Sequence, residues 1–173
     1  MLTMRPQKAF VFSLVAVERA YDILDNGEPV AVATYLKNKG GSIAVDGRRY
    51  IVQRGGGPSA EMLGQVLIRL ATGRKRAFAA WTLIDPEGKT VISARQSADG
   101  VAVSRGGETF AFRKSRKSGY QLFRAGGDRP LGSTKGLDLP AEFDVLFQAF
   151  LFALAIALSE EDPGGVDAYV PTT

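Results

Sequence analysis

Two short basic runs hold the residue types with the plainest chemical use. "GRKRAF" sets Arg74, Lys75 and Arg76 side by side, and "FRKSRKSGY" holds Arg113, Lys114, Arg116 and Lys117. Three or four cations at a turn or hairpin tip approach a phosphate-rich surface without burying charge. Beside an anionic membrane each contributes about 1 kcal/mol, decaying over a Debye length. The seven side chains act together only if they share one face of the fold. Arg48 and Arg49, just after Asp46-Gly47, are candidates to join them. The bland reading of the same runs is a solvated turn that keeps the surface charged.

A second chemistry is open to the same clusters. Phe110, Phe112 and Tyr120 alternate with Arg113 and Lys117, and aromatic stacking beside cations is how single-stranded nucleic acid is held. Alternating aromatics in strands more often face a core. Catalysis has less to work with. The 173 residues include no histidine and no cysteine, which removes the usual general base near neutral pH, thiolate chemistry and any disulfide framework. Asp85 with Glu87 in "DPEG", and Glu160 to Asp162 in "SEED", suit a turn and a helix end. "KSRKSGY" supplies Ser, Lys and Tyr in an exposed segment that would perturb no pKa. No carboxylates have EF-hand spacing. The expectation is a non-catalytic binding protein with no cofactor and no metal.

Charge distribution points the same way. Residues 1–135 carry all 22 Lys and Arg against 11 acidic residues, a net of +11, whereas residues 136–173 carry 7 acidic residues and no base. A basic body suggests an anionic partner. The acidic end leaves a protein-interaction scaffold, meeting a basic partner, as a further reading. The absence of cysteine fits a reducing compartment, so the expected location is cytoplasmic, peripheral to a membrane where the basic clusters engage it. "KAFVFSLVAV" (Lys8–Val17) has a basic flank and a short apolar stretch, but "ERAYDILD" follows without a small-x-small cleavage site, and a buried strand is the reading adopted.

The elements that position these residues are mostly strands. "VAVATYL", "SIAV" and "RRYIVQR" alternate in the manner of half-buried strands, and Asp46-Gly47 joins the last two by a hairpin signal. Asn26-Gly27 separates "AYDILD" from "EPVAVA" in the same way. "FAAWTLID" passes through "PEG" into "KTVISARQ". "DGVAVSRGGETFAFRK" bends at Gly106-Gly107, and "GYQLFRA" and "PLGSTK" continue the meander. Trp81 is expected in the core. "SAEMLGQVLIRLAT" (Ser59–Thr72) reads either as a capped amphipathic helix or as a strand.

One segment differs. Val145 to Leu158, "VLFQAFLFALAIAL", holds a single polar residue, Gln148. Pro140 suits a first helical position, Glu142 and Asp144 suit the positive end of the dipole, and Pro163-Gly164-Gly165 stops the helix. The expected helix covers about residues 140–159, with a tail at 163–173. Its apolar run is about 21 Å long as a helix, short of the roughly 30 Å hydrocarbon core, so no transmembrane span is expected. A helix apolar on every face is surrounded by protein when it is too short for lipid. Ten or so antiparallel strands do that by closing into a barrel. The expected fold is mainly β, one domain over 1–173: a closed antiparallel barrel of about ten to twelve strands around a buried hydrophobic C-terminal helix.

The hairpins "FAAWTLIDPEGKTVISARQ" and "YQLFRAGGDRPLGS", followed by one wholly apolar helix, resemble the tubby C-terminal-like superfamily, which includes phospholipid scramblases and LURP-one-related proteins. The resemblance runs from about Ala9 to Leu158. It implies a closed barrel of about twelve strands around a central helix, and binding of phosphoinositides by basic side chains on the barrel wall. The cysteine-rich palmitoylation sites of the scramblases have no counterpart here. No residue of this chain aligns with a particular lipid ligand of tubby.

Overall fold

The computed structural model describes residues 2–7, 18–36, 40–55, 79–97, 100–115, 119–134, 139–140 and 142–161. Eleven strands form one antiparallel sheet in which each strand pairs with the next in sequence. They are β1 (Leu2–Pro6), β2 (Glu18–Asp25), β3 (Glu28–Leu36), β4 (Gly40–Val45), β5 (Arg48–Gly55), β6 (Ala80–Ile84), β7 (Thr90–Ser97), β8 (Gly100–Arg105), β9 (Glu108–Ser115), β10 (Gly119–Arg124) and β11 (Pro130–Ser133). One helix, α1 (Val145–Glu161), follows them. β1 and β11 are the ends of the sheet order, and among the described residues they are not paired with each other.

Local chemistry explains the turns. Asn26 and Asp46 have φ near 50°, followed by Gly27 at 90° and Gly47 at 71°. Positive φ at both central residues defines the turn whose twist matches a hairpin, and Asn or Asp before Gly is the cheapest way to adopt it. Between β6 and β7, Gly88 N–H donates to Asp85 O at 3.0 Å, and the Asp85 carboxylate accepts from Lys89 N–H at 2.7 Å.

Alternation then sorts the side chains. Ile23, Ala33, Ile43, Val52, Leu83, Ile92, Val103, Phe112 and Leu122 point to one face and are buried. Trp81 joins them at 1% exposure, though its indole N–H has no acceptor among the described residues. Against this face lies α1. Phe147 to Leu154 are eight consecutive buried residues, more than two helical turns, so every side of the helix is covered there. Burying one Phe or Leu side chain is worth about 1.5–3 kcal/mol, so α1 is a dense source of stability among the described residues. Gln148, its one polar core residue, donates from Nε2 to Phe143 O at 2.5 Å.

Three expectations change. The helix starts at Val145 rather than near residue 140, because Asp144 accepts from Phe147 N–H at 2.8 Å and so caps it, while Phe143 N–H bonds Pro140 O in a preceding turn. It extends to Glu161 rather than 159. β1 was not expected at all. Lys8–Val17, Ser59–Thr72 and the tail 163–173 lie outside the described residues.

Candidate anion-contact end of the sheet

In a meander, connections alternate between two ends of the sheet. The turns β2–β3, β4–β5, β6–β7, β8–β9 and β10–β11 lie at one end; the connections β1–β2, β3–β4, β5–β6, β7–β8 and β9–β10 lie at the other. The β9–β10 hairpin and the entry of the chain into β6 therefore share an end. Arg113 and Lys114 close β9 there, and both are exposed. Arg74, Lys75, Arg76, Arg116 and Lys117 lie outside the described residues; the first three precede Ala79, where the chain enters β6, by a few positions in sequence.

Arg113 and Lys114 are neighbours on a strand and so take opposite faces. Arg113 stands on the outer wall, opposite Gln121, with its guanidinium 5.2 Å from the centroid of the Phe123 ring. A cation over an aromatic face at an exposed site gains about 0.5–1 kcal/mol, which holds the guanidinium on the wall. Lys114 follows the parity of Phe110 and Phe112 and pairs with Tyr120, so it stands at the rim above the core. Gly100 makes room beside Arg113: its φ is +138°, and a Cβ there would lie 2.8 Å from Phe112 O and 3.1 Å from Arg113 Cγ.

A neighbouring row extends this wall. Arg95 pairs with Ala102, Ala102 with Ala111, and Ala111 with Phe123. Two alanines form a flat floor between exposed Arg95 and the Arg113–Phe123 stack. Outward positions of β5 to β10, such as Gln53, Thr82, Ser93, Ser104 and Thr109, carry no carboxylate among the described residues. Sequence reasoning missed Arg95. Its signal is the alternation in "ISARQS", where buried Ile92 and Ala94 leave Arg95 outward.

Two other sequence candidates sit elsewhere. Arg48 and Arg49 begin β5 at the opposite end, so they do not join the cluster. Phe110, Phe112 and Tyr120 are 4%, 0% and 8% exposed, and Phe112 stacks on Tyr120 at 5.1 Å. They belong to the core, and they offer no surface platform for bases. Among the described residues no three Asp or Glu gather as a metal would require, and no helix is long and apolar enough to cross a membrane.

Comparison with family models, curated proteins and solved structures finds no match to this chain.

Proposed function

We propose that this chain is a non-catalytic module that docks on an anionic phospholipid surface through the basic end of its sheet. In this reading the sheet closes around α1 as a barrel of the tubby-like kind, and Arg113 and Lys114 engage the headgroups, with Arg74, Lys75, Arg76, Arg116 and Lys117 as the further candidate contacts. The observation that carries it is the connectivity: the chain enters β6 and turns from β9 to β10 at the same end. The full burial of α1 over two turns supports closure. The carboxylate-free wall with Arg95 and Arg113 extends the positive surface without adding repulsion toward phosphate.

Nucleic acid is the weaker partner, because the aromatic residues it would stack on are inside. The test compares pelleting with phosphatidylserine-containing liposomes and retention of a single-stranded oligonucleotide, on the wild type and on R113E/K114E/R116E/K117E. The charge reversal is expected to abolish pelleting, and oligonucleotide retention is expected to be negligible from the start. Pelleting that survives the reversal removes the lipid reading; strong oligonucleotide retention replaces it with the other.

A further inference from the structure

The opposite end of the sheet, where α1 begins, carries a separate feature: an open cleft of about 370 Å³. Its floor is a cluster of three phenylalanines. Phe110 from β9 meets Phe143 at 5.5 Å edge-on and Phe147 at 5.5 Å, and Phe143 meets Phe147 at 5.1 Å. Its rim is charged, with Arg105 and Glu108 from the β8–β9 hairpin, Arg124 from β10 and Glu142 from the segment before the helix.

One part of this cleft already holds a cation. Arg105 lies 5.1 Å from the centroid of the Phe147 ring and is ion-paired to Asp144. A guanidinium held between an aromatic face and a carboxylate is the combination that binds organic cations. The adjacent part repeats those ingredients with its cation position weakly filled. Phe143 is only half-buried. The Glu108 side chain makes no ion pair or hydrogen bond among the described residues. Among the described residues Glu142 is met by Arg124 at 4.0 Å, the outer limit of an ion pair, with both side chains more than half exposed. Such a contact exchanges readily with solvent or with a competing charge.

We infer that this cleft binds a compact organic cation, an alkylammonium or alkylguanidinium group, with its carbons on Phe143 and its charge held by Glu108 and Glu142. The volume is at the small end for ligand sites, which suits one such group rather than an extended molecule. The group arrives either as a free small molecule or as a Lys or Arg side chain of a peptide; the chemistry recognised is the same.

The experiment is a backbone-amide NMR titration of the full chain with n-butylguanidinium, benzyltrimethylammonium, benzoate and butylurea. The two cations are expected to give saturable shifts at residues 105–110 and 142–147, with none from benzoate or butylurea. Glu108→Gln is expected to weaken the cations about fivefold, the upper range for an exposed charge pair, with the melting temperature unchanged, and Phe143→Leu about threefold, with the NMR spectrum showing that the variant stays folded. A capped Gly-Arg-Gly peptide that binds more tightly than butylguanidinium assigns the ligand to a protein side chain; one that binds no better assigns it to a free cation. No saturable shift, equal shifts from benzoate, or affinity indifferent to Glu108→Gln overturns the inference.

Discussion

The two ends of this sheet use charge differently. At the end where α1 begins, acidic residues are part of the local architecture. Asp46 adopts the positive φ of its turn, Asp85 accepts the Lys89 amide, and Asp144 caps the helix while pairing with Arg105. At the other end, Arg95, Arg113 and Lys114 stand exposed near strand ends. Arg113 touches Phe123, yet its charge still faces water. Short carboxylates build turns and caps because they reach a backbone N–H a few residues away; long cationic side chains cannot.

Both ends depend on the core they share, so the largest effect comes from there. Phe150 is 1% exposed on α1, and Phe150→Ala is expected to destabilise by about 3–5 kcal/mol, the range for a large aromatic lost from a packed interior. Urea denaturation measures it, and the two ends should lose structure in one transition. Separate transitions for residues near Arg113 and near Phe143 would mean that the ends are independent units, and the comparison would lose its common frame.

The next largest effect separates the ends. Asp144→Ala removes the cap on Phe147 and the partner of Arg105, and is expected to cost about 1–2 kcal/mol. Arg113→Ala with Lys114→Ala is expected to cost less, about 0.5–1 kcal/mol, the worth of the exposed contact between Arg113 and the Phe123 ring. Thermal melts of the two variants side by side decide the matter. If the Arg113/Lys114 change costs as much as the Asp144 change, the basic end is structural too, and its charges need no external partner.

What the sequence conveys about this contrast follows from the range over which each signal acts. Hairpins at Asn26-Gly27, Asp46-Gly47 and Gly106-Gly107 are legible because two adjacent residues determine the turn. The all-round apolarity of residues 145–158 announces an enclosed helix, and mainly β architecture follows from the alternation before it. The start of that helix is harder: Pro140 and Asp144 are both good N-terminal residues, and only the bond to Phe147 N–H selects Asp144. β1 escapes because "LTMRP" has one β-branched residue and ends in proline, a weak pattern that pairing with β2 overrides. Which cations share an end depends on counting every strand between them, so Arg48 and Arg49 fall on the wrong side of a sequence argument. The cleft at Phe143 and Phe147 joins residues from β8, β9, β10 and α1, and no local pattern marks it.

The smallest effect probes the exception at the basic end. Asp22 on β2 is a carboxylate fully engaged there: Gln7 and Arg5 both donate to it, the latter at 3.0 Å. The hydrogen bond from Gln7, then that from Arg5, hold its pKa below the ordinary value of 3.8, while partial burial opposes them. A folded-state pKa lower than the unfolded one means that the contact contributes its full stability above the ordinary carboxylate value. That contribution is lost as pH falls through the lowered value. Because Arg5 and Gln7 flank the end of β1, and β1 has one pairing neighbour among the described strands, the loss appears first as local opening of that strand. Amide exchange of Met4 and Arg5, measured from pH 5 downward, is expected to accelerate beyond its intrinsic pH dependence below the ordinary carboxylate range. Asp22→Asn is expected to remove that extra acceleration. An unchanged profile in the Asn variant would show that β1 is held by its backbone ladder alone. The basic end would then contain no carboxylate with a structural role among the described residues, and the contrast between the two ends would be sharper.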